Sequence, residues 1–219
     1  MKKTVFTSDR LCALSDGVYA IVLTLLVLEL KVPESAYLSE RALEEVLYEQ
    51  RLKFAAYLIS FFAITKFWVD HHAVFNIIRK IDHGILGANF VHLLFLSLLP
   101  FSSSLVGGFA SNHPAQFIFL ASLALCGLSQ ALILGYASRH QHLIAKEIPR
   151  QLQINQFRKI LFIPSIATIS AVFALFHHNA MFIFWLLAPA ALVLMNRLVV
   201  TVVDTSGLPQ ASGGLSPEK

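Results

Sequence analysis

Residues Asp16-Gly-Val-Tyr-Ala-Ile21-Val-Leu-Thr-Leu25-Leu-Val-Leu28-Glu29 decide the fold class. One carboxylate is followed by an unbroken apolar or small run from Gly17 to Leu28. With the apolar residues just before it, the stretch 11–30 reaches the length of about 20 residues that a helix needs to cross a bilayer's hydrocarbon core. The rest of the chain has the same character: of 219 residues, 56% are apolar and only 14% charged, and mean hydropathy is +0.67. A soluble domain carries about 25% charged residues to coat its outside. A water-soluble enzyme and a disordered chain are both excluded.

Six windows are long and apolar enough to span: 11–30, 54–78, 84–107, 115–138, 157–177 and 179–203. Backbone cannot sit bare in lipid, so each is expected to be α-helical, with Pro100, Pro164 and Pro189 tolerated as kinks packed against neighbours. The expected fold is all-α, an integral membrane six-transmembrane-helix bundle over residues 1–205, with a Gly-, Pro- and Ser-rich disordered cytoplasmic tail over 206–219. Between the first two spans, Leu43, Val46 and Leu47 recur at helical spacing beside Glu40, Glu44, Glu45 and Glu49, which predicts a short external amphipathic helix within 34–53.

Net charge is +4, and in so apolar a chain the excess base bears on orientation before nucleic acid. With the N terminus cytoplasmic, 12 of the 17 Lys and Arg residues fall on inside segments, four fall outside and Lys66 lies within the second span. That bias places both termini inside. A cleaved secretory signal is the poorer reading of the start, because no small-residue cleavage site follows Glu29 to Pro33. Cys12 and Cys126 both lie in apolar stretches, so packing is expected of them rather than a disulfide or metal site.

Ionisable groups within spans are costly and are expected to face protein or water. With alternating spans, Asp16 on the first, Trp68, Asp70, His71 and His72 on the second, and Asn89 and His92 on the third come to one depth. Three uses of that layer stay open on the residues alone. The groups satisfy one another and fix the packing; the histidines form a proton relay or pH sensor; or His72 and His92 ligate haem in a membrane redox protein. On the first helix, stepping 100° per residue brings Gly17, Thr24, Leu25 and Leu28 within about 60° of Ile21, while Asp16 lies well away at about 220°. A purely structural membrane scaffold is the blandest alternative.

The N-terminal segment from Arg10 through Ser15-Asp16 to Leu30 resembles the Arg-x-x-x-Phe-Ser-Asp signature helix of the transmembrane protein 175 family, the lysosomal and prokaryotic potassium channels. Tyr57-Leu-Ile-Ser-Phe61 and Trp68-Val-Asp-His71-His72-Ala-Val-Phe75 resemble that family's second helix, and the run from Asn89 through His92 to Pro100-Phe101 its third. Leu14 stands where the signature has Phe, so an aromatic contact is missing there. The resemblance implies a homotetramer of six-helix subunits in which Ile21, Leu25 and Leu28 form aliphatic constriction rings and Thr24 a hydroxyl ring. It also implies that Arg10, Ser15 and Asp16 anchor the first helix to Trp68, His71 and His72, with Asn89 and His92 in the same network. The expected function is a potassium-permeable cation channel of the bacterial inner membrane. No catalysis, metal site or cofactor is expected; the partners are further copies of the chain, the lipid bilayer, and potassium and other monovalent cations, with no nucleic acid.

Overall fold

The structure, a computed structural model, describes residues 8–31 and 40–176. Helix α1 (Ser8–Leu25) tightens into a 3-10 turn, Leu26–Glu29. It is followed by α2 (Glu40–Glu49), α3 (Arg51–Ile77), α4 (His83–Ser97), α5 (Leu99–Gly108), α6 (His113–Arg139) and α7 (Arg150–Ala174). The fold is an all-α membrane bundle. Among the described residues five segments are long and apolar enough to cross a bilayer: Ser8–Glu29, Arg51–Ile77, His83–Gly108, His113–Arg139 and Arg150–Ala174. The expected sixth span at 179–203, Pro189 within it, and the tail at 206–219 lie outside the described residues.

Local chemistry sets the boundaries. Asp82 caps α4 by accepting the Ile85 N–H at 2.8 Å, and Asn112 caps α6 by accepting the Ala115 N–H at 3.3 Å, with a proline in the first turn behind it. Pro100 has no N–H to give, and the third span breaks into α4 and α5 at Leu98. In α7, Pro164 is accommodated inside the helix, and Gly127 of α6 lies where a Cβ would meet the proline ring at 2.7 Å. Helix α7 begins at Arg150, ahead of the apolar window expected from 157, and Gln153 and Gln156 in its first stretch are buried. The short amphipathic helix expected within 34–53 is α2, which runs into α3 with only Gln50 between them.

The core has two apolar clusters stacked along the bundle. One contains Tyr19, Val22, Leu26, Phe67, Leu93 and Cys126; the other contains Leu11, Val74, Ala88, Ala131 and Ile144. On each of four helices, polar residues sit between the two: Ser15 on α1, Asp70 and His71 on α3, Asn89 and His92 on α4, Ser129 and Gln130 on α6. Below the second cluster, the α3–α4 and α6–α7 turns are joined by an isolated bridge between Ile78 and Ile144. The Arg79 N–H donates to the Leu143 carbonyl at 2.8 Å and the Ala145 N–H to that of Ile77 at 3.1 Å. The two turns therefore lie on the same side, as alternating spans require.

Candidate functional site

The buried face of α1 carries Leu11, Ser15, Tyr19, Val22 and Leu26, spaced three or four apart as one helical face demands. Its polar members anchor the helix through two directed chains. The Asn89 amide Nδ2 donates to Ser15 Oγ at 3.0 Å, and Ser15 Oγ donates to the Leu11 carbonyl at 3.0 Å. Asn89 Oδ1 is then left to accept from His71 Nε2 at 2.8 Å. In the second chain, His92 Nδ1 faces the Cys126 carbonyl at 3.1 Å, which only accepts, so Nδ1 carries the proton. Nε2 therefore accepts from the Tyr19 hydroxyl at 2.7 Å. Ser129 Oγ, 3.2 Å from Nδ1, gives its own proton to the Cys126 carbonyl at 2.7 Å. The His71 and His92 rings stack with centroids 5.6 Å apart, and Phe75 stacks on the far side of His71 at 4.5 Å.

A third tie lies at the surface, where Trp68 Nε1 donates to Asp16 Oδ1 at 2.9 Å. Of the predicted network, Ser15, Asp16, Trp68, His71, Asn89 and His92 are thus brought into hydrogen-bonded contact with α1 or with each other. Arg10 is exposed and makes no hydrogen bond or ion pair among the described residues. His72 is exposed as well, about 100° around α3 from the buried His71, and touches the network only through its ring, 6.1 Å from that of Trp68. Asp70 stays buried at the depth of the layer but pairs with Lys66 one turn back on α3.

Both ring nitrogens of His92 are engaged in hydrogen bonds, and His72 is exposed at the surface. Among the described residues no group of three or more His, Cys, Asp and Glu side chains could hold a metal ion. Sequence reasoning missed Tyr19, Ser129 and Gln130. Tyr19 was legible in principle, because it lies four residues after Ser15 on the same face. Ser129 and Gln130 lie in a span whose polarity is too weak to draw notice; the Gln130 amide donates to the Phe67 carbonyl of α3 at 3.0 Å.

The opposite face of α1 is open among the described residues. Ile21 is 60% exposed, Leu25 42% and Leu28 63%, whereas the adjacent Val22 and Leu26 are buried. Thr24 is exposed between them, and its hydroxyl turns back to the carbonyls of Ile21 at 2.8 Å and Ala20 at 3.1 Å. The four stripe residues share one open face, and the anchoring network holds the other. At the outer end, Glu29 is tied to α5, its Oε2 accepting from Ser104 Oγ at 2.6 Å.

Residues 10–100, which hold α1, α3, α4 and the break at Pro100, match the sequence profile of the endosomal/lysosomal potassium channel TMEM175. Over these residues the chain is similar to the TMEM175 family. It is 43% identical over 111 residues to the potassium channel HX13_20290 of Chryseobacterium sp. (strain P1-3), a match covering 50% of this chain and 53% of that protein. It is 34% identical over 110 residues to the endosomal/lysosomal proton channel TMEM175 of Homo sapiens, covering 48% of this chain and 22% of that protein. The chain spans about half the length of the bacterial relatives it matches. In fold it resembles the crystal structure of a lysosomal potassium-selective channel TMEM175 homolog from Chamaesiphon minutus, with a TM-score of 0.73 and 23% identity over 86% of this chain and 98% of that one. The family match falls on the helices that carry the stripe and its anchors. It does not reach α6 and α7, where the likeness is one of fold.

Proposed function

We propose that the chain is a potassium-permeable cation channel whose ion pathway is lined by α1, with Ile21, Leu25 and Leu28 as aliphatic constriction rings. The observation that carries this reading is the division of α1 into two faces. One is fixed by the Ser15, Tyr19 and Asp16 bonds, and the other presents a stripe of branched side chains left exposed among the described residues. Such a stripe needs other copies around it to become a ring, and a homotetramer supplies four. Names of relatives support the ion: the bacterial ones matched are potassium channels, and the vertebrate ones are called proton channels.

The chemistry follows from the side chains. A ring of isobutyl and sec-butyl groups closes a pore by excluding water, because a cation does not shed its hydration shell into hydrocarbon. Small widening lets water in and the ion with it. Thr24 adds oxygen to this hydrocarbon: with its proton spent on its own helix, it presents lone pairs, the half of a hydroxyl that a cation uses. Arg10, Ser15, Asp16, Trp68, His71, Asn89 and His92 serve as the network that sets the helix's rotation, with His72 at its rim. The Lys and Arg bias supports a bacterial inner-membrane location with both termini cytoplasmic.

The decisive experiment is potassium flux into liposomes. Ile21→Asn and Leu28→Asn are each expected to wet the constriction, raising leak or altering the potassium-to-sodium ratio. Unchanged flux and ion preference in both variants would remove the stripe from the pathway. A Soret band in the purified protein would instead favour a haem-binding redox protein.

A further inference from the structure

The pore-lining helix is built in two parts with separate anchors. Its α-helical part, which carries Ile21 and Leu25, is tied to α4 by the Asn89–Ser15 and Tyr19–His92 bonds. Its last turn, which carries Leu28, is a 3-10 turn with poorer hydrogen-bond geometry, and its side-chain tie goes to α5 through Ser104 and Glu29. The break that separates α4 from α5 at Leu98 and Pro100 thus matches the change of helix type between Leu25 and Leu26. Further contacts make α5 and the start of α3 one unit. Ser60 Oγ donates to Ser103 Oγ at 2.8 Å, Ser103 Oγ lies 3.3 Å from the Ala56 carbonyl, and a Cβ on Gly107 would meet the Lys53 backbone at 2.9 Å. The Gln50 amide, from the residue just before α3, holds the Lys31 carbonyl at 2.7 Å beyond the turn.

Behind the Ser104–Glu29 bond lies a small cleft lined by Leu26, Glu29, Lys53, Tyr57, Ser103 and Ser104. Lys53 faces the same cleft but does not come within ion-pair distance of Glu29.

We infer that Ser104 and Glu29 are positioning residues that set the Leu28 ring independently of the Ile21 and Leu25 rings, making the outer constriction a separately adjustable gate. The inference rests on the reading of α1 as the pore helix. A hydrogen bond to a carboxylate is among the stronger neutral-to-charged contacts, and its loss frees the 3-10 turn while the Tyr19 and Ser15 bonds still hold the helix below it.

The test uses single cysteines at Leu28 or Ile21 in a Cys12→Ser background, since Cys126 is fully buried. The protein is reconstituted in liposomes, and a water-soluble thiosulfonate is applied. Ser104→Ala and Glu29→Gln are each expected to change the modification rate at position 28 roughly tenfold, the scale of one charge-assisted hydrogen bond, while the rate at position 21 stays put. Ser104→Thr, which keeps the hydroxyl, restores the parental rate. Unchanged rates at position 28 in both variants, or equal changes at 21 and 28, would overturn the inference. Glu29→Gln keeps the length of the side chain and serves if Ser104→Ala fails to fold. The pore reading is judged apart, by flux: complete modification of either cysteine without effect on potassium flux defeats it, whatever the rates are.

Discussion

Tyr19 and His92 show how much one hydrogen bond decides here. Both are fully buried, and the imidazole's tautomer is dictated by a carbonyl that only accepts, which leaves Nε2 needing the phenol's proton. Tyr19→Phe keeps the ring and its packing but strands that nitrogen. It is expected to cost about 1–3 kcal/mol, the penalty for an unsatisfied buried acceptor, read as a lower unfolding temperature in detergent. At the aqueous end, Asp82 has a different balance. Burial pushes its carboxyl up, but the N–H groups of Ile85 and Gly84, the Tyr136 hydroxyl and nearby His140 together hold it below its ordinary value. A depressed carboxylate contributes stability that is full above its unfolded value of about 3.9 and is lost as pH falls through the lower folded one. Asp82→Ala is therefore expected to be less stable than the parent at pH 7, by about 1 kcal/mol as for a lost N-cap, and the gap is expected to narrow on acidification toward pH 3. Thermal unfolding of both proteins across that range checks it.

Among the described elements, α6 and α7 share the most extensive contact, and Gly127 lets them pack closely at Pro164. A side chain there would collide with the Cβ, Cγ and Cδ atoms of Pro164, all within 3.0 Å of a Cβ, and a proline ring cannot rotate away. Gly127→Val is expected to destabilise by about 1–3 kcal/mol or more through overpacking, measured as a loss of folded protein on heating. At Gly17, by contrast, a Cβ would have nothing within 4 Å, and the residue lies on the open side of α1. The same contrast runs through the described spans: each has a packed face and apolar side chains left exposed among the described residues, such as Phe90, Leu94 and Phe101 on α4 and α5. Water would not tolerate such faces at this density, whereas lipid and neighbouring copies do.

For the whole molecule, the bridge between Ile78 and Ile144 fixes which turns share a side. Arg79, Lys80, Arg139, Lys146 and Arg150 are all exposed around it. Single cysteines at Lys80 and Lys146 are expected to react with an impermeant thiol reagent only from the cytoplasmic face of inner-membrane vesicles. Labelling from opposite faces would break the alternation of spans, and labelling of both from the periplasm would invert the orientation.

The spans within the described residues, their helical nature and the depth of the polar layer were legible in the amino-acid order, because a bilayer tests each segment by length and hydropathy alone. The stripe at Ile21, Leu25 and Leu28 was legible too, since helical periodicity needs no tertiary partner. Tertiary structure alone decided who satisfies whom. His71 and His72 are neighbours in the chain but point about 100° apart around α3, so one enters the core and the other does not. Asp70 found its partner in Lys66 on its own helix, and the partners of His92 came from Tyr19 and from α6. Hydropathy registers a polar atom's cost; only packing reveals where its hydrogen bond goes.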